Sequence, residues 1–67
     1  IYPNPAMDII NIEMTEFKEA TIYNLSGKKV LRSNDSRINV NSLIKGVYIM
    51  ELENKSGERF STKLIKD

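Results

Sequence analysis

The sequence predicts an all-β domain, a small antiparallel sandwich of six or seven strands. Three observations carry this reading. Apolar residues recur at period two along most of the chain. Turn formers (Gly, Asn, Asp and Ser) cluster at roughly eight-to-twelve-residue spacing. No segment sustains a helical period, and the missing βαβ spacing argues against a parallel sheet.

The opening residues Ile1 to Ala6 read as extended. Pro3 and Pro5 fix their own φ and push Tyr2 and Asn4 away from the helical region. Because proline cannot donate to a ladder, this stretch belongs on a sheet edge or at a strand's beginning, with Tyr2 as its anchor. Residues 8–14 alternate as a half-buried strand, Ile10, Ile12 and Met14 inward and Asn11 and Glu13 outward. Residues 15–18 read as a connection. The next strand, 19–25, sets Ala20 and Ile22 on one face and Thr21 and Tyr23 on the other. Asn24-Leu25-Ser26-Gly27-Lys28 is a hairpin turn with Gly27 at the position needing positive φ.

The returning strand covers 29–32. Ser33-Asn34-Asp35-Ser36 turns the chain into a short strand at 37–40, with Ile38 and Val40 inward. Asn41-Ser42 is placed to cap one helical turn that ends at Gly46. The central element follows. Tyr48, Met50 and Leu52 point to one side, Val47, Ile49 and Glu51 to the other. That pattern predicts an interior strand covered on both faces over its first half. A second hairpin through Asn54-Lys55-Ser56-Gly57-Glu58 leads to a final strand, 59–66. There Phe60, Thr62 and Leu64 share a face opposite Ser61, Lys63 and Ile65.

Composition narrows the function. Sixty-seven residues make one domain of modest stability. There is no cysteine to form a disulfide or bind metal and no histidine for acid–base work. The serines sit mostly in turns without a base at obvious spacing, so a hydrolase triad is unsupported. Glu51 and Glu53 form a carboxylate pair, read first as a solvated strand end and only second as a cation site. Asn34-Asp35-Ser36 lacks the ligand count of a calcium loop. The glycines stand isolated, so there is no phosphate loop. The three Asn-x-Ser tripeptides, at Asn24, Asn34 and Asn54, arise readily in turns. No cofactor is expected. Ten basic residues against nine acidic ones, scattered along the chain, give no nucleic-acid footprint. No apolar run reaches the roughly 20 residues of a spanning helix, so no membrane insertion is expected. The opening lacks the features of a signal peptide, and a start at Ile1 suggests a piece excised from a longer product.

The order of motifs is more specific than any one of them. Tyr2-Pro3-Asn4-Pro5-Ala6 opens the chain and Asn24-Leu25-Ser26-Gly27-Lys28-Lys29-Val30 lies in the middle. Leu43-Ile44-Lys45-Gly46-Val47-Tyr48 follows, and Gly57 leads into Lys63-Leu64-Ile65-Lys66. Over its whole length the sequence resembles the type A C-terminal sorting domains of proteins exported by the type IX secretion system of Bacteroidetes. The resemblance implies an Ig-like sandwich without catalytic activity that ends a larger cargo protein. It implies passage through the periplasm and outer membrane to the cell surface or medium. Its partners would be the N-terminal cargo domain, the translocon and its shuttle components. A sortase-like cysteine peptidase would commonly remove it upstream of Ile1.

Carried over by position, the residues of recognition are Tyr2, Pro3, Asn4, Pro5, Leu43, Gly46, Tyr48, Gly57, Lys63 and Lys66. One departure is Asp67 after the terminal lysine. Each residue also has a plainer reading. Tyr2 and Tyr48 suit packing, Gly46 and Gly57 are turn requirements, and Lys63 and Lys66 protect an edge strand from adventitious pairing. An exposed edge with a basic end also suits β-augmentation by a translocon component. The rival functions are an Ig-like accessory module that binds glycan or spaces domains, and a small adhesion subunit. With five aromatic residues and no tryptophan, a sugar platform has thin support.

Overall fold

A computed structural model of the protein describes residues 8–67. The opening motif, with Tyr2, Pro3, Asn4, Pro5 and Ala6, lies outside the described residues. Among the described residues there are six strands and no helix: β1 (Ile9–Asn11), β2 (Phe17–Tyr23), β3 (Lys29–Ser33), β4 (Arg37–Asn39), β5 (Gly46–Asn54) and β6 (Arg59–Lys66). β1 and β4 form a two-stranded antiparallel sheet. The other four form an antiparallel sheet in the order β3-β2-β5-β6. This is the all-β sandwich the period-two pattern predicts.

β5 is interior, with β2 on one side and β6 on the other. Its Tyr48, Met50 and Leu52 are buried together with Ala20 and Ile22 of β2 and Leu64 of β6. The register aligns Ile22 with Met50, Ala20 with Leu52 and Tyr48 with Leu64, so alternate residues build one apolar face. Ile10, Ile12, Ile38, Val40 and Leu43, from the small sheet and its flanks, complete the core.

Several expectations are corrected. β5 is covered on one face only, since Val47 and Ile49 remain 40% and 37% exposed. Two short strands close one face of a four-stranded sheet, and the described chain supplies no third layer. β1 ends at Asn11, short of the expected 8–14, although Ile12 N still donates to the Ser36 carbonyl at 2.8 Å in continuation of the β1–β4 register. Phe17 opens β2 and does not belong to the connection before it. The helical turn after Asn41 is absent. Leu43 N donates to Val40 O at 3.0 Å and Asn41 N donates to Asn39 Oδ1 at 2.8 Å, which closes a simple turn.

The two hairpins use one design. Asn24 Oδ1 accepts from Ser26 N and Lys28 N at 2.9 and 3.0 Å, and Asn54 Oδ1 accepts from Ser56 N and Glu58 N, both at 3.0 Å. Gly27 and Gly57 follow with φ of 85° and 87°, a conformation that a side chain resists. The amides of both turns are thereby satisfied locally, which sets the register of β2 on β3 and of β5 on β6.

Candidate recognition surface

The turns and registers decide which of the expected recognition residues meet. Gly46 pairs with Lys66, Tyr48 with Leu64 and Ile49 with Lys63. Leu43 lies just before them in the connection from β4. Five of the ten residues, Leu43, Gly46, Tyr48, Lys63 and Lys66, therefore share one end of the larger sheet. Gly57 sits in the hairpin at the opposite end, and Tyr2, Pro3, Asn4 and Pro5 fall outside the described residues.

A local device shapes this end. Gly46 takes a φ of 156°, a region close to glycine-only, and turns the chain into β5. Two residues on, the ring of Tyr48 enters the core, 8% exposed, and its hydroxyl donates to the Ile44 carbonyl at 2.5 Å. This is the arrangement of a tyrosine corner, in which a tyrosine near a strand's start ties down the backbone a few residues upstream. Ile44 itself points out, 81% exposed, while Leu43 is buried beside it. Ile44 was not among the expected residues. Its signal was present as the four-residue spacing from Tyr48 across a glycine.

The two lysines differ. Lys63 is exposed on the outer face of the sheet, across from Ile49. Lys66 lies two residues beyond Leu64 on the inner face and is 8% exposed. Its stem is covered, and its ammonium donates to the Asp67 main-chain carbonyl at 3.2 Å.

The outer face at the far end of the sheet is charged and internally paired. Lys18 meets Glu53 at 3.7 Å, and Arg59 spans Glu51 and Glu53 at 3.9 and 4.0 Å. The carboxylates of the Glu51–Glu53 pair thus face cations of the same sheet. A shallow depression lined by Glu19, Arg32, Ser33 and Asn34 has its own carboxylate engaged, because Arg32 donates to Glu19 Oε2 through Nε at 2.8 Å. That hydrogen bond is the main reason the Glu19 carboxyl titrates below its ordinary value. Partial burial opposes the shift, and the nearby charges of Arg32, Lys18 and Arg59 assist it. A carboxyl lowered by folding contributes stability above its unfolded value and loses it as pH falls through the folded one. Wild type is therefore expected to melt above Glu19→Gln at neutral pH, and the gap is expected to close below about pH 4. Thermal melts from pH 7 to pH 3 check this, and a gap that widens on acidification would refute it.

Set against known proteins, residues 1–67 match the family described as "Secretion system C-terminal sorting domain". The chain is also 42% identical over 67 residues to Beta-agarase D of Zobellia galactanivorans. That alignment covers 97% of this chain and 14% of the agarase, so the chain spans a small part of the relative's length. No solved structure matches the chain.

Proposed function

This chain belongs to the secretion system C-terminal sorting domains, and we propose that the type IX translocon reads it at the sheet end built from Leu43, Gly46, Tyr48, Lys63 and Lys66. Domains of this family are C-terminal signals for type IX secretion. They direct the polypeptide that carries them across the outer membrane to the cell surface or medium. The observation that supports this recognition end is the β5–β6 register, which joins motif residues some twenty positions apart in sequence.

In this reading the residues divide their roles. Leu43, Gly46 and Tyr48 hold the corner rigid, so that its shape is the same in every copy. Lys63 and Lys66 supply positive charge beside it. Gly57 acts at a distance by closing the hairpin that returns β6 to this end. Tyr2, Pro3, Asn4 and Pro5 form the entry motif that the translocon also reads. Recognition involves the translocon and its shuttle components, a sortase-like peptidase then cuts upstream of Ile1, and the domain performs no reaction itself.

The test is a fusion of residues 1–67 behind a periplasmic reporter in a type IX-competent bacterium. The reporter is expected at the surface or in the medium, and retention in the periplasm would overturn the proposal. Deleting 63–67 does not separate recognition from folding, because the deletion removes Leu64, which is fully buried. Point changes at exposed positions are the sharper tool.

A further inference from the structure

The charges that look scattered in sequence are sorted by the fold. Lys28, Lys29, Lys45, Lys63 and Lys66 all fall at the corner end of the larger sheet, where the acidic side chains are Asp8 and Asp67. Every arginine and every glutamate lies toward the other end or beyond it, together with the ion pairs Lys18–Glu53, Arg32–Glu19, Arg59–Glu51 and Arg59–Glu53. Lys28, Lys29 and Lys45 have no carboxylate within ion-pair distance among the described residues. A chain of net charge +1 is thus polarised, with its excess of positive charge at one end.

The same end carries apolar surface on the uncovered face. One cross-strand row runs Lys29–Tyr23–Ile49–Lys63, through all four strands. Val47 and Ile65 pair in the next row on that face. Val47 and Ile49 are 40% and 37% exposed, and Leu25 and Ile44, the most exposed large apolar residues described, stand on the adjoining turns. The result is an apolar centre with lysines at its margins.

Resting on the sorting function above, we propose that this face is the docking surface for a translocon protein whose own surface is apolar at its centre and acidic at its rim. Protein interfaces have that anatomy of dry core and polar margin, and charge complementarity across the rim selects the partner and speeds encounter. Val47, Ile49 and Ile65 give this face a flat centre in the plane of the sheet, with Leu25 and Ile44 on turns at its margin, and a flat apolar centre suits a protein surface. At the far end, by contrast, Lys18, Arg32 and Arg59 are engaged by carboxylates of the same sheet.

The experiment uses the reporter fused to the full 1–67 domain. Lys29→Glu with Lys63→Glu is expected to cut surface reporter about tenfold or more. Lys29→Arg with Lys63→Arg is expected to preserve export, as is a control pair at the other end, Arg37→Glu with Lys55→Glu. Thermal melts of the purified variants establish that each is folded. A folded Lys29→Glu/Lys63→Glu variant exported like wild type would overturn the docking surface, and so would equal loss in the control pair. Lysine-dependent co-sedimentation with phosphatidylglycerol vesicles, alongside unchanged export, would replace the protein partner with a membrane. Retention of the wild-type fusion would instead count against the sorting reading itself.

Discussion

Leu64→Ala is expected to destabilise the domain by about 2–5 kcal/mol, the range for truncating a buried leucine. Leu64 is fully buried on β6, directly across from Tyr48. Most of its side chain would be replaced by a cavity that the flanking β-sheet cannot collapse to fill. A domain of this length has about 3–10 kcal/mol of stability in total. The substitution therefore removes a large share of it. Urea unfolding should show a lower midpoint, and export of the fused reporter should fall in parallel if the translocon requires a folded tag. By contrast Val47→Ala, on the outer face, should change stability by less than about 0.5 kcal/mol. A midpoint for Leu64→Ala equal to that of wild type would mean that β6 is not docked as described.

The second large effect is expected at the corner. Tyr48→Phe removes the hydroxyl that donates to the Ile44 carbonyl and retains the ring in the core. The loss should be about 1–2 kcal/mol, the value of a hydrogen bond plus the partial orphaning of its acceptor. Tyr48→Ala should cost about 3–5 kcal/mol, because the ring volume goes as well. The difference between these variants separates the tie from the packing. Amide hydrogen exchange in the loop at residues 43–46 should accelerate in Tyr48→Phe while the β2–β5 ladder stays protected. Uniform acceleration across both would show that the hydroxyl does not act locally.

Most strands were legible because they keep one apolar face in a period of two. Ile38 and Val40, or Met50 and Leu52, announce an inward side without reference to the rest of the chain. Both hairpins were legible for an equally local reason. Asparagine and glycine three apart satisfy the turn's amides and its positive φ within five residues. Which face of β5 would be covered was not legible. Val47 and Ile49 are as apolar as Met50, but the β1–β4 sheet packs on the Met50 side and nothing among the described residues layers over the other face.

The order of local motifs was sufficient to determine an all-β chain with two equivalent hairpins and its membership of a sorting-domain family. Those properties depend on residues close together in sequence. Tertiary structure alone decided the burial of Lys66, the tie from Tyr48 to Ile44 and the gathering of five lysines at one end. Each of these follows from how strands register across the sheet, and registers join positions that no local pattern connects.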